Sequence, residues 1–388
     1  MGVGVAGPRW KVPSKSAIFQ ARARLGAEPM GALFDRGCRP VASEDTPGAF
    51  YRSRRLVSID GTTLDVADTS ANDDAFGRPG SGRGERSAFP QLRLVALAEC
   101  GTHAVTAVAM GPYATGETTL AKQLIDSGAL GPGMLVLADR GFTAFPLWDK
   151  ASATGADLLW RAKNNAVLPV LERFDDGSFR SEIVATADKR TRADVRSVRV
   201  VEYALTDPGR PQAEQRYRLL TTVMDPDIAP AAELAALYAE RWEIENTLDE
   251  LKVHQRGPRV VLRSKTPEGV RQEVYGYLCV HYAIRALMHT TAEHHDVDPD
   301  RISFTRTLRA ARRSARTQTG TGSTALRVAL HSAITEIGAE LLPHRRLRSA
   351  ARVVKRKMSN YGVKRPMHRR WPQPTFTTST AINILVPP

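Results

Sequence analysis

Two aspartates of this 388-residue chain stand where carboxylates can do chemistry together. Asp60 ends or interrupts the apolar run LVSID, and Asp139 closes the apolar run MLVLAD. A charged side chain in a buried strand is unfavourable unless it is paired or binds a metal ion. An aspartate that caps a strand-to-turn junction is common, so either residue alone is weak support for a site. If the two strands are neighbours in one sheet, the carboxylates lie close together.

A third acid, Glu245, lies in the charged segment LYAERWEIENTLDELK, which runs from Leu237 to Lys252. An α-helix turns by about 100° per residue, which predicts one face within about 60° of arc. That face holds Tyr238, Arg241, Glu245 and Lys252, with Trp242 and Asp249 beside it and Glu240, Glu243 and Glu250 elsewhere. Glu245 and Asp249 are like charges four residues apart, which is unfavourable unless a positive group lies between them. An ordinary charged surface helix is the alternative interpretation.

The chemistry that such a site supports follows from its oxygen ligands. Three convergent carboxylates without Cys or His favour Mg²⁺ or Mn²⁺. Two such ions about 3.5–4 Å apart catalyse in-line attack at phosphorus. The three cysteines, Cys38, Cys100 and Cys279, are scattered and form no CxxC pattern. Their spacing argues against zinc and disulfides and favours a reducing cytoplasm.

The positive charge of the chain is concentrated near its end. Between Arg301 and Arg370 there are 18 lysines and arginines and two acids, whereas the whole chain has 55 and 41 and a net charge of +14. The rest of the chain is therefore close to neutral. This asymmetry predicts a polyanionic partner, most plausibly nucleic acid, and a solvated basic tail is the alternative. We find no apolar run of about 18 residues and no signal peptide, so neither a membrane span nor secretion is expected.

The elements that would position the three acids follow from hydrophobic patterning and turn residues. The predicted strands and helices, in chain order, are helices over 14–36, a strand to Val66, a flexible loop over 68–90, a hairpin with CGTH at its turn, a helix at TTLAKQLIDSGAL, the strand before Asp139, a helix at AFPLWDKASATG and a strand at ADLLWRAK. A β meander over 167–224 separates Asp139 from Glu245. Pro230 is predicted near the first position of the helix that bears Glu245. A long apolar helix, basic helices over 301–358 and an irregular tail beyond Trp371 follow.

Several of these segments together resemble the bacterial DDE transposases of the IS4 insertion-sequence family. The segments are SKSAIFQARARLG, LVSIDGTTLDVADT, FGRP, LVALAECGTHAV, LVLADRGF, LLWRAK and YAERWEIENTLDELK, and they span roughly Val12 to Met288. The family pattern is Tyr, two residues, Arg, three residues, Glu, six residues, Lys. Tyr238, Arg241, Glu245 and Lys252 fit it at every step.

The resemblance implies an α/β fold with a ribonuclease-H-like catalytic core, an inserted β-rich subdomain, and helical N- and C-terminal regions. The expected divisions are 1–50 as a partial DNA-binding region, 51–288 as the catalytic domain with the insertion at 167–225, and 289–388 as the basic C-terminal region. Relatives of this kind carry a longer region before the SKSA helix, whereas about a dozen residues precede it here. An N-terminally shortened copy or a misassigned start is therefore expected.

The resemblance also assigns roles to the residues of the predicted site. Asp60, Asp139 and Glu245 are the implied catalytic acids and ligands of two Mg²⁺ or Mn²⁺ ions. The implied DNA-binding residues are Tyr238, Arg241, Lys252 and Trp242, although we favour packing against the core for Trp242. The implied partners are double-stranded DNA, as terminal inverted repeats and as target, and a second copy in a homodimer in the nucleoid.

Three functions remain open at this point. The first is cut-and-paste transposition by hydrolysis and strand transfer. The second is a catalytically silent DNA-binding relic that represses transposition. The third is a ribonuclease-H-like nuclease that does not join strands.

Overall fold

A computed structural model describes residues 12–80, 84–163, 165–185, 194–206, 215–257, 260–317, 322–343 and 381–387. Within these residues, eleven strands form one mixed sheet. The strands are β1 Phe50–Tyr51, β2 Arg54–Asp65, β3 Gln91–Glu99, β4 Val105–Pro112, β5 Met134–Ala138, β6 Asp157–Arg161, β7 Glu172–Arg173, β8 Phe179–Val184, β9 Val195–Thr206, β10 Gln215–Thr221 and β11 Ala381–Ile384.

The helices cover both faces of this sheet or follow it in the chain. They are α1 Lys15–Leu25, α2 Glu28–Gly37, α3 Ser70–Phe76, α4 Glu117–Asp126, α5 Phe145–Ser152, α6 Ala231–Leu237, α7 Trp242–Asp249, α8 Pro267–His295, α9 Phe304–Thr317 and α10 Ser323–Gly338. Two 3₁₀ turns, Tyr238–Arg241 and Pro299–Arg301, and a π-helical segment, Glu250–Gln255, complete the set. None of the described helices combines the length and the hydrophobicity that a bilayer crossing requires.

The spatial order of the sheet is β4-β3-β2-β5-β6-β10-β9-β8-β7, with β1 on β2 and β11 on β9. Strands β4, β3 and β2 are antiparallel to their neighbours in that group, whereas β2, β5 and β6 run parallel to one another. Parallel neighbours need a crossover connection, and α5 supplies it between β5 and β6. The carboxyl ends of β5 and β6 therefore lie at the same edge of the sheet as the second half of β2.

Both faces of the sheet are buried, which explains why its central strands are nearly continuously apolar. On β3, Val95 and Leu97 face a core shared with α4 and α5. The alternate residues Leu94 and Ala96 face a second core with α2, α7 and α8. The segment that carries Glu245 is thus packed directly on the sheet. The C-terminal helices α9 and α10 form a further core with the end of α8.

Most of the predicted elements are confirmed. Ser14 caps α1, the CGTH turn joins β3 and β4, and helices α4 and α5 alternate with strands β5 and β6 as expected. The predicted meander is present as β8, β9 and β10. Its strands extend the same sheet, because β10 pairs with β6. Only part of the predicted basic region, up to residue 343, lies within the described residues.

Two sequence predictions were wrong in detail. Residues 70–76 of the predicted loop form α3, because Thr69 caps it and Phe76 is buried. Residues 381–384 of the predicted irregular tail form β11 against β9. The prediction for Pro230 is confirmed, because it is the N-cap of α6 and directly precedes the first helical residue, Ala231.

The turn between β3 and β4 depends on a glycine. Gly101 has φ +77, and a Cβ there would lie 2.5 Å from Pro47 O. Gly101→Ala should therefore lower the free energy of unfolding by about 2–3 kcal/mol. The matched control is Gly276→Ala inside α8, where a Cβ meets no atom within 4 Å. It should stabilise the protein by about 0.5–1 kcal/mol. Urea denaturation measures both, and equal effects of the two variants would show that the turn does not require glycine at position 101.

Candidate active site

Of the two predicted aspartates, Asp60 lies on β2 and Asp139 immediately follows the neighbouring parallel strand β5. Ile59 of β2 is in register with Ala138 of β5, so Asp60 and Asp139 occupy the next position of the two strands. Each carboxylate accepts a hydrogen bond from a nearby backbone N–H, at 2.7 Å from Gly61 and 2.6 Å from Gly141. The sheet thus brings together two acids that are far apart in the sequence.

Glu245 approaches this point from a helical segment that changes its winding twice. The segment begins as the 3₁₀ turn Tyr238–Arg241, continues as α7 and ends in the π segment Glu250–Gln255. The prediction of one uniform α-helix over Leu237–Lys252 was therefore wrong. The start of the segment is tied to the sheet, because the buried Tyr238 hydroxyl donates to Ala138 O at 3.1 Å. That carbonyl immediately precedes Asp139.

Arg241 connects two of the three acids. Its Nη2 donates to Glu245 Oε1 at 2.8 Å, and its Nη1 lies 3.7 Å from Asp60 Oδ2. The guanidinium is almost fully buried, and its Nε and Nη1 have no hydrogen-bond partner among the described residues. A buried donor without an acceptor is unfavourable. Arg241 Nε and Nη1 are therefore buried donors whose hydrogen-bonding capacity is unused in this structure.

Burial of Asp60 is the main influence on the electrostatics of the site. Burial raises the pKa of Asp60 to about 7, and the charges of Asp139 and Glu245 act in the same direction. The Gly61 N–H and Arg241 oppose this rise without cancelling it. A cation at this position would relieve the repulsion, and an oxygen-only ligand set fits the hard ions Mg²⁺ and Mn²⁺.

The carboxylate oxygens of Asp60, Asp139 and Glu245 are not close enough together to surround a single metal ion in this structure. In the described part of the chain, the one set of three acidic, His or Cys residues whose ligand atoms all lie within 4.8 Å is His103, Glu243 and Asp300. The oxygens of Asp60, Asp139 and Glu245 are therefore farther apart, and Arg241 occupies part of the space between them.

The other predicted side chains divide between the site and its margin. Lys252 Nζ donates to Thr62 Oγ1 at 2.9 Å, two residues along β2 from Asp60. Trp242 is 44% exposed, and the Arg241 guanidinium lies 4.6 Å from its ring centroid. Core packing of Trp242 was thus a wrong interpretation. Asp249 is exposed and lies 3.5 Å from His254.

A basic pocket beside Asp139 was not predicted from the sequence. It has a volume of about 410 Å³ and is lined by Arg140, Gly141, Lys163 and Asn165. Arg140 comes two residues after the end of β5, and Lys163 two residues after the end of β6. Basic residues that closely follow adjacent parallel strands were the signal that could have found it, because those strand ends share one edge.

Comparison with known families gives two matches along the chain. Residues 51–283, well over half of the sequence, match the family described as transposase DDE domain. Residues 3–35 match the family described as insertion element 4 transposase N-terminal. The first match contains all three predicted acids, and the second contains α1 and most of α2.

Individual relatives point in the same direction. The chain is 29% identical over 349 residues to the transposase InsG for insertion sequence element IS4 of Escherichia coli strain K12, and the match covers 89% of this chain and 77% of that protein. A piggyBac transposase synaptic complex with hairpin DNA has a TM-score of 0.39 and 12% identity over 74% of this chain and 58% of that one. The endonuclease V of Streptomyces avermitilis has a TM-score of 0.21 and 16% identity over 68% and 94% of the two chains. At such TM-scores the two structures do not establish a shared fold.

The raised pKa of Asp60 predicts a pH-dependent gain in stability for Asp60→Asn. Because the pKa in the folded state lies above the usual value, the ionised carboxylate destabilises the fold increasingly as pH rises from about 4 to about 7. In EDTA, Asp60→Asn should raise the free energy of unfolding by about 1–3 kcal/mol at pH 8 and by less at pH 5. Urea denaturation at both pH values measures this. Asp249→Asn, at an exposed position, is the control, and a destabilised Asp60→Asn at pH 8 would contradict the prediction.

Proposed function

Because the chain belongs to the DDE transposases of the IS4 family, we propose that Asp60, Asp139 and Glu245 are its catalytic carboxylates. The chain is a transposase, and on this proposal the three acids hold the metal ions that catalyse the cutting and joining of DNA. The observation that supports this assignment is that Ile59 and Ala138 are paired in register, so that Asp60 on β2 and Asp139, the first residue after β5, follow adjacent positions of neighbouring strands. Arg241, which contacts both Asp60 and Glu245, links the third acid to the same place.

We also propose that strands β2 to β6 form a ribonuclease-H-like core. Three antiparallel strands, β4, β3 and β2, are followed in space by the parallel strands β5 and β6. This arrangement supports the proposal, as does the position of one acid on β2 and the next just after β5. The proposed divisions are 1–50, 51–288 with the insertion at 167–225, and 289–388, in keeping with the family match over 51–283.

The proposed cofactor is a pair of Mg²⁺ or Mn²⁺ ions held by Asp60, Asp139 and Glu245. When bound, such ions activate the attacking oxygen and stabilise the leaving oxygen in phosphodiester cleavage. The chain itself supplies the oxygen ligands, and the Gly61 and Gly141 N–H groups orient two of them. Burial raises the pKa of Asp60 and the charges of Asp139 and Glu245 add to the rise, so a cation at this point would stabilise the ionised carboxylates, which supports the proposal.

The basic side chains of the site are suited to hold the phosphodiester in place. Arg241 offers the two N–H groups that have no protein acceptor in the described structure. We propose that Arg241 and Lys252 bind phosphates beside the acids, that the Tyr238 hydroxyl supports the β5 end, and that the exposed Trp242 ring contacts a DNA base. The basic pocket at Arg140 and Lys163 would extend the phosphate path past Asp139.

The proposed partner is double-stranded DNA, as element ends and as target, bound by a homodimer in the nucleoid of the cytoplasm. The basic face of α9 supports this partner. Arg312 Nη2 donates to Gln255 O at 3.2 Å, so α9 lies beside the end of the segment that bears Glu245. Arg309 and Arg313 are also exposed on α9. A polyanion that enters the site would thus meet α9 as well.

The two alternatives make different predictions for products. A silent DNA-binding relic would bind ends without cutting them. A nuclease without joining would cut ends, and no target plasmid would acquire the element. Incubating the protein and Mg²⁺ with a plasmid that carries the gene and its flanking inverted repeats, together with a target plasmid, separates all three functions. Joined products support the transposase proposal.

The choice between Glu245 and Asp249 is a direct test of the proposed site. Glu245→Gln should lower the single-turnover cleavage rate in Mg²⁺ by at least about 1,000-fold, because it removes a metal ligand. Asp249→Asn should change the rate less than about tenfold, because the exposed pair with His254 is a weak interaction. Both substitutions remove one negative charge from the same segment, so they are matched. An inactive Asp249→Asn together with an active Glu245→Gln would show that the third metal ligand is Asp249, one helical turn later, and not Glu245.

The role of α9 can be tested through the salt dependence of binding. Arg309→Gln should reduce the slope of log Kd against log salt concentration by about 1, because one phosphate contact and its released counterion are lost. Arg180→Gln is the control, because Arg180 lies on β8 near the far edge of the sheet and pairs with Glu172. Fluorescence anisotropy with a duplex of the inverted repeat gives both slopes. Equal slopes for Arg309→Gln and the wild type would show that Arg309 of α9 does not contact the DNA.

A further inference from the structure

Polar side chains are also buried behind the segment that bears Glu245, on the side away from Asp60. We call these residues the rear cluster: His103, Glu243, Glu250, His281, Arg285 and Asp300. Glu243 lies about 160° around the helix from Glu245, which is why one segment can serve both sides. The rear cluster joins this segment to the β3–β4 turn, to α8 and to the turn before α9.

The strongest contact of the rear cluster is a two-point pair between Arg285 and Glu250. Arg285 of α8 donates through Nε to Glu250 Oε2 at 2.9 Å and through Nη2 to Oε1. Burial by itself would raise the pKa of Glu250, but Arg285, His281 and His103 hold it at about 2. The carboxylate is therefore ionised at neutral pH, and the pair is a charge-assisted, bidentate one.

His103 accepts a hydrogen bond from Arg285 inside the rear cluster. Arg285 Nη2 also donates to His103 Nδ1, so in the neutral ring the hydrogen is on Nε2. Burial and Arg285 lower the pKa of His103 to about 4, which keeps the ring neutral. Nε2 faces Asp300 Oδ1 at 3.4 Å and Glu243 Oε2 at 3.6 Å. Its N–H, and no lone pair, is thus directed at the two carboxylates.

The π segment Glu250–Gln255 is held from both sides. Residues two apart in a helix point in different directions. Glu250 is bound from behind by Arg285, whereas Lys252 reaches forward to Thr62 Oγ1 at 2.9 Å. Thr62 lies on the same face of β2 as Asp60, because side chains alternate along a strand. The rear contact and the front contact therefore depend on the same short stretch of backbone.

We infer that Arg285 is a positioning residue for the active site: by holding Glu250, it fixes the π segment and so places Lys252 beside Asp60. This inference rests on the proposed function, because it concerns the geometry of those side chains. Arg285 acts at a distance, through the backbone between Glu250 and Lys252. Helix α8 thereby takes part in shaping a site on the other side of the segment.

A double-mutant cycle tests whether Arg285 acts through Lys252. The four proteins are the wild type, Arg285→Lys, Lys252→Ala and the double variant, each assayed for single-turnover cleavage of the inverted-repeat plasmid in Mg²⁺. Arg285→Lys should slow cleavage by about 10- to 100-fold, because lysine cannot make the bidentate pair and the site is misplaced. The double variant should be no more than about twofold slower than Lys252→Ala alone. If the slowing in the double variant equals the product of the slowing factors of the two single variants, Arg285 does not act through Lys252 and the inference is overturned.

A matched control separates positioning from general loss of stability. Arg199 of β9 is equally buried and pairs with Asp176, and its Nε donates to Ser178 Oγ at 2.8 Å. Arg199→Lys should cleave at the wild-type rate, and an equal slowing of both variants would overturn the inference. Circular dichroism reports folding, and Glu250→Gln replaces Arg285→Lys in the cycle if the latter does not fold. An inactive wild type, or an active Glu245→Gln, would overturn the proposed function itself and this inference with it.

Discussion

The buried guanidinium of Arg241 lies between acids that would otherwise repel each other. It donates to Glu245 and lies 3.7 Å from Asp60, in a place where burial already disfavours negative charge. Without a positive group at this point, α7 could not bring its carboxylate onto the sheet at low cost. The compensation is incomplete, because the pKa of Asp60 still lies near 7. Arg241 thus offsets only part of the negative charge of the three acids. The proposed metal ions would offset the rest.

One helical segment serves two faces, and its changes of winding make this arrangement work. The 3₁₀ start lets Tyr238 reach the end of β5, and the α-helical middle directs Glu245 forward and Glu243 back. The π-helical end is held by two contacts: Glu250 accepts a hydrogen bond from Arg285 behind the segment, and Lys252 donates one to Thr62 in front of it. A π turn within a helix often marks a functional site, because the unusual winding persists only where surrounding contacts hold it. Here those contacts come from α8 on one side and β2 on the other.

The sheet also joins the inserted strands and the end of the chain to the part that bears the acids. The inserted strands β8, β9 and β10 continue it beyond β6, and β11 from the end of the chain pairs with β9. Arg199 on β9 is fully buried and paired with Asp176, which ties this extension to the turn between β7 and β8. The described C-terminal helices pack on the end of α8 through their own apolar cluster. The basic region is therefore partly built into the fold, and Arg312 of α9 contacts Gln255 at the end of the segment that bears Glu245.

The candidate catalytic side chains and most of the helices and strands can be predicted from the amino-acid sequence alone. Apolar runs that end at Asp60 and Asp139, and the spacing of Tyr238, Arg241, Glu245 and Lys252, are local properties, so they could be predicted residue by residue. Strand pairing is not local, and only the tertiary structure decided that β5 lies parallel to β2 and that the insertion extends the sheet. The π winding and the rear cluster could not be predicted either, because they depend on contacts between Glu250 and residues such as Arg285, 35 positions away. The partner of a buried charge cannot be identified from sequence, because the free energy of burying that charge depends on the groups that surround it in space and not on its neighbours in the chain.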